Sequence, residues 1–299
     1  MKEEALTEAT STYGKTLAVA KAKEGKTATL IANLLGAMPW QKFGGVVDAP
    51  EHLHVLGFDS GAVIGIKEFL IDLCSMKTAD AAKVRVYDFQ DDVRQVSNAE
   101  VEWDFTLYNS IITTIKKVQD KAAKGASSAV LVSSLTTIAL ALQRAIAGPP
   151  GNEEKHGGGM DQSKWTELGR QINEIRNMLQ QDAWHCIWEG HVFKPPETGQ
   201  GGEPRPETLQ VQGASGHNFP NNVEQIFRIR RLFGETHEST KIDKVFFDTR
   251  PSMDFIAGGR LTTTNLDPKE YDLTLAYRKL GLKVGRWGDR SKSKVQSKK

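Results

Sequence analysis

Cysteine is scarce: Cys74 and Cys186 are the only two in 299 residues. Two thiols cannot build the disulfide framework that staples small secreted domains, so a reducing, cytoplasmic setting is expected. They lack metal-ligand spacing and read as core thiols. An excess of charge of one sign is missing too. With 39 Lys and Arg against 37 Asp and Glu, the net charge is +2. Bulk electrostatics therefore do not announce a nucleic-acid binder. Long hydrophobic runs are also lacking. None reaches the roughly 18 residues of a membrane helix, and the first residues carry no signal-peptide core, so no membrane partner is expected. What is present is 39% hydrophobic and 25% charged residues. That is the balance of a globular protein, with length for one large α/β domain or two small ones.

The charge is uneven along the chain. Residues 285–299, "GRWGDRSKSKVQSKK", set a run of Lys and Arg against Asp289 alone. Such a tail is either a solvated end or a source of nonspecific phosphate affinity. Two segments, 147–162 and 193–219, are rich in Gly, Pro and charge. The second is longer than an ordinary loop within a compact domain and reads as functional or disordered.

Between these segments short apolar strands alternate with amphipathic helices. Strands are expected at 16–20, 52–60, 82–89, 129–132, 183–192, 223–233 and 241–249. Helices are expected from 27 to about Met38 and over 61–75, 105–125, 134–148, 163–181 and 267–282. This alternation predicts an α/β fold with a mostly parallel central sheet and helices on both faces.

The stretch "AVAKAKEGKTATLIANLLG" (18–36) follows the first strand and opens the first helix. Gly25, Lys26 and Thr27 fill the second half of a phosphate-binding loop, while Ala20 stands where that consensus has its first Gly. Lys21 and Lys23 add positive charge within the loop. A second Gly-Lys-Thr, Gly14–Thr16, precedes the strand rather than following it and so lies in the wrong context.

From Leu17 to about Leu282 the chain resembles the phage-encoded RecA-like ATPases, AAA-type nucleotide-binding proteins that include single-strand annealing recombinases. The resemblance is carried by "AKAKEGKT", "HVLGFDSGA", "AVLVSSLTTIALALQRAI", "DQSKWTELGRQINEIRNMLQQDAWHCIWEGHV" and "VFFDTRPSMDFIAGGRLTTTNLDP", in that order. It implies a RecA-like P-loop NTPase core over 17–282 with C-terminal antiparallel strands, an N-terminal extension (1–16) and a basic tail (283–299).

The cofactors implied are ATP and Mg²⁺. Lys23, Gly25, Lys26 and Thr27 would bind nucleotide, and Thr27 and Ser133 would face the metal. Ser133 stands where the family usually has an Asp, and a hydroxyl brings no negative charge to a dication. Asp59 is a candidate to supply that charge or to activate water, with the alternative that it serves as N-cap of the helix beginning at Gly61. His191, at a strand end, is either a γ-phosphate sensor or a surface residue. Arg260, and less so Arg250, is either an arginine finger across a subunit interface or a solvated loop residue. Trp184 and Trp188 read as packing residues rather than a base-stacking platform.

The function implied is ATP binding in DNA recombination or replication, with single-stranded DNA bound or annealed by a homo-oligomeric ring or filament. Lys194 and Arg205 would contact the DNA. Weak ATP hydrolysis in the cytoplasm, that of the host for a phage protein, goes with this reading. The alternative is a hydrolysis-deficient nucleotide-binding scaffold without DNA affinity. A P-loop kinase is disfavoured because no basic lid is recognisable.

Overall fold

The structure is a computed structural model describing residues 14–22, 24–38, 40–41, 52–59, 66–98, 100–123, 128–148, 160–180, 184–193, 207–211, 218–236, 243–252 and 256–280. The strands are β1 (Lys15–Ala20), β2 (His52–Gly57), β3 (Val84–Asp88), β4 (Ser128–Ser133), β5 (His185–Phe193), β6 (Thr208–Leu209), β7 (Gln225–Thr236), β8 (Asp243–Asp248) and β9 (Gly258–Gly259). The helices are α1 (Lys26–Leu34), α2 (Ile66–Glu68), α3 (Thr78–Ala81), α4 (Gln90–Ser97), α5 (Thr106–Ala123), α6 (Leu135–Ala147), α7 (Gln162–Leu179) and α8 (Leu273–Lys279).

The sheet runs in the order β3–β2–β4–β5–β1–β7–β8. Every pairing from β3 to β7 is parallel, and β8 returns antiparallel to β7. The short β6 and β9 add antiparallel pairs to β5 and β7. The expected α/β fold, mostly parallel with late antiparallel strands, is the one observed.

The central strands read as continuous apolar runs because both faces are covered. In β1, Leu17 and Val19 join the core beneath α4, α5, α6 and α7. Ala18 and Ala20 join the opposite core with α1 and α8. On α1, Leu30, Ile31 and Leu34 are all 0% exposed. Each contributes about 1.5–3 kcal/mol on burial, so tertiary packing rather than propensity fixes this short helix.

Because these strands are parallel, β1, β2, β4 and β5 all end at one edge. There Ala20 pairs with His191, and Gly57 with Ser133. In open α/β sheets ligands bind at that edge.

Some expectations fell short of the observed elements. The helix expected over 61–75 is helical from Ile66 and becomes a π-type turn over Phe69–Leu73, while 60–65 lie outside the described residues. Most of 147–162 and 193–219, the tail and the N-terminal extension lie outside them too. Among the described residues no helix is long and apolar enough to cross a membrane.

A candidate phosphate and cation site

Ala20, at the consensus glycine position, is the last residue of β1 and is fully buried. Strand conformation there suits any L-residue, so alanine does not obstruct the turn. The conformational demand falls on Gly25, at φ 70° and ψ 25°. A residue with a Cβ pays about 1–2 kcal/mol in that left-handed region. Glu24 closes the turn: its Oε2 accepts the Lys21 backbone N–H at 2.8 Å and Arg228 Nη1 at 2.6 Å. The helix that follows has no side-chain cap and no acidic residue in its first turn. Its leading N–H groups and positive dipole end suit an anion.

Lys26, the first residue of α1, is buried. Burial lowers its pKa, opposed by the carboxylates of Glu189, Asp59 and Glu24. Thr27 Oγ1 donates to Glu189 Oε2 at 2.8 Å, and Ser133 Oγ donates to the same oxygen at 2.9 Å. The two hydroxyls stand 3.0 Å apart. This cluster follows from topology. β5 lies between β1 and β4, so a side chain near its end reaches both the start of α1 and the end of β4.

Glu189 is fully buried, and its Oε1 has no hydrogen-bond partner among the described residues. Burial pushes its carboxyl up to about 7, against the downward pull of Lys26 and the two hydroxyls. A folded pKa raised from the ordinary 4.5 makes ionisation costly in the fold. The stability present below about pH 4.5 is therefore lost as pH rises towards 7, by up to about 3 kcal/mol. Glu189→Gln removes this loss. In EDTA the variant should melt increasingly above wild type as pH is raised from 5 to 8; an unchanging gap would contradict the burial penalty.

Asp59 and His191 share this edge. The Thr137 hydroxyl donates to Asp59 Oδ1, and Asp59 Oδ2 lies 3.9 Å from His191 Nε2. The His191 backbone N–H donates to Thr136 Oγ1 at 2.9 Å. Burial and Lys26 lower the imidazole pKa, and Asp59 raises it. The N-cap alternative for Asp59 involves Gly61, outside the described residues.

Arg260 is elsewhere. It donates to Glu224 Oε2 at 2.6 Å, and β9 beside it pairs with Gln225, itself opposite Thr16. That is the other end of β1, roughly 13 Å of strand from Ala20. Arg250 is exposed and lines a cavity of about 740 Å³ with Phe246, Asp248 and Asn265. Lys23, Lys194 and Arg205 lie outside the described residues. Trp184 and Trp188 are buried, Trp184 donating to Leu179 O and Trp188 meeting Phe219 edge-on. Lys15 and Thr16 of the second Gly-Lys-Thr belong to β1 itself.

Glu189 was not among the candidates read from the sequence. The available signal was one carboxylate inside the otherwise apolar "AWHCIWEGHV". A charge in a strand buried on both faces needs a partner or a task.

No protein-family model and no curated protein matches this sequence. Among solved structures the chain is similar to one described as a prototypical ATPase from the type III secretion system of pathogenic bacteria, with a TM-score of 0.41 and 12% identity. The match covers 72% of this chain and 52% of the other, so the chain spans about half that structure's length. So distant a likeness carries no functional argument, which rests instead on the loop, the lysine and the buried carboxylate.

Proposed function

We propose that this chain is a RecA-like P-loop protein that binds ATP with Mg²⁺ at the start of α1. The observation that carries this reading is a buried Lys26 followed by a half-buried Thr27 at an uncapped helix N-terminus, entered through a left-handed glycine. Lys26 pairs with the phosphates, and the leading N–H groups of α1 donate to their oxygens. The Thr27 and Ser133 hydroxyls, backed by a buried carboxylate with one oxygen unpartnered among the described residues, suit a hard cation. Bound Mg²⁺ supplies neutralisation of charge on the β- and γ-phosphates. Asp59 and His191, at the same edge, orient water and sense the γ-phosphate. Arg260, at the opposite edge, acts only across a subunit interface.

The protein works in phage DNA recombination or replication, as a ring or filament that binds or anneals single-stranded DNA. Support comes from Phe233, 75% exposed, with the Arg231 guanidinium 5.6 Å from its ring centroid. An exposed aromatic beside a cation suits base stacking, although Arg231 is also paired with Asp243. Lys194, Arg205 and the basic tail supply phosphate contacts. A second reading, a nucleotide-binding scaffold with neither hydrolysis nor DNA affinity, draws on Ser133 in place of an Asp.

Phosphate release with and without single-stranded DNA, together with DNA binding across a salt series, separates the two. The recombination reading expects salt-sensitive DNA binding and slow, DNA-responsive turnover. ATP binding with no turnover and no DNA affinity supports the scaffold.

A further inference from the structure

Resting on the nucleotide-binding reading above, we infer that Glu189 is the carboxylate that organises the Mg²⁺ end of the site, in place of an acid at Ser133. Three observations carry the inference. Glu189 Oε2 accepts both the Thr27 and the Ser133 hydroxyl protons, at 2.8 and 2.9 Å. A hydroxyl whose proton is committed to a carboxylate turns its lone pairs elsewhere, which leaves Thr27 Oγ1 set to ligate a cation. Oε1 of the same carboxylate is buried without a hydrogen-bond partner among the described residues. It is an acceptor for water held on the cation, and it brings the negative charge that Ser133 lacks.

The other acids are placed differently. Asp59 is engaged by the Thr137 hydroxyl and faces His191. Glu24 is tied to Arg228 and the Lys21 N–H. Neither has a hydrogen bond to Thr27 or Ser133 among the described residues. The site thus holds a carboxylate behind its Thr, contributed by β5 rather than β4. Glu189 acts through Thr27 and is a positioning residue.

A consequence concerns Ser133. Replacing it with Asp sets a second carboxylate about a hydrogen-bond length from Glu189 Oε2, where like charges oppose one another. Ser133→Asp therefore weakens the cation site instead of repairing it.

The test is the affinity of a fluorescent, non-hydrolysable ATP analogue for full-length wild type, Glu189→Gln and Ser133→Asp, each in EDTA and in saturating Mg²⁺. Wild type is expected to bind more tightly with Mg²⁺. Glu189→Gln should lose about tenfold or more of that enhancement, the range for groups that orient metal ligands. Its affinity in EDTA should equal or exceed that of wild type, since Lys26 and the helix N-terminus remain and one carboxylate no longer opposes the phosphates. That EDTA value also reports whether the variant is folded. Full Mg²⁺ enhancement in Glu189→Gln, or an equal loss with and without Mg²⁺, would overturn the role of Glu189 while leaving nucleotide binding intact. Absence of binding by wild type in either condition would overturn the nucleotide reading itself.

Discussion

Lys26→Ala should reduce ATP-analogue affinity by about a hundredfold or more, whereas Lys15→Ala should leave it within about twofold. Both lysines sit in Gly-Lys-Thr tripeptides, so the pair isolates context from motif. Lys26 is the first residue of α1 and is buried beside Glu189, Asp59 and Glu24. A buried ammonium in that setting is held by surrounding negative charge, and incoming phosphates supply more of it. Without it, phosphates would enter a site holding uncompensated carboxylates, so repulsion adds to the lost attraction. Lys15 opens β1 at the opposite end, pairing with Cys186. Equilibrium dialysis checks the result, and equal losses in both variants would assign the phosphates to neither loop.

Arg228→Ala should destabilise the protein by about 3–5 kcal/mol, the usual consequence of removing one member of a buried ionic cluster. The Arg228 side chain is 2% exposed. It donates to Glu207 Oε2 at 2.8 Å, to Glu24 Oε2 at 2.6 Å and to the Ile229 carbonyl. Its loss strands a buried carboxylate, Glu207, and a half-buried one, Glu24, which the exposed Lys21 at 3.7 Å from Glu207 and the charges of Lys26 and Arg230 near Glu24 offset only in part. The damage should also reach the nucleotide, because Glu24 closes the loop through the Lys21 N–H. Urea denaturation gives the stability change, and a loss below about 1 kcal/mol would mean that water replaces the cluster without cost. Arg228→Lys should fall between, since an ammonium cannot serve both carboxylates in the planar geometry of a guanidinium.

The fold was legible where burial imposes a pattern. β1, β4 and β5 carry continuous apolar runs because helices cover both sides of the sheet, and α5 and α7 keep an apolar stripe. α4 escaped notice because "QDDVRQVS" buries only Val96, leaving no stripe to detect. The two-residue β6 and β9 are too short for any period. Their pairing depends on partners distant in sequence.

The site was legible in part for the same reason. Gly25, Lys26 and Thr27 are contiguous, so strand–loop–helix order reveals them. Glu189 meets Thr27 across 162 positions of sequence, and only the sheet order, with β5 between β1 and β4, brings them together. Asn33 is a similar case. It donates to Tyr271 O and accepts the Leu273 N–H, fixing the entry to α8 from within α1. Nothing in a one-dimensional reading of "LIANLLG" assigns it that work.

A crystal structure of the protein with a non-hydrolysable ATP analogue and Mn²⁺, whose anomalous signal locates the metal, tests the central claim most directly. The account predicts phosphates against the start of α1 beside Lys26. It predicts Mn²⁺ held through Thr27 Oγ1, with the Glu189 carboxylate behind it. Mn²⁺ held instead by Asp59 and His191, or phosphates bound away from Gly25–Thr27, would contradict it.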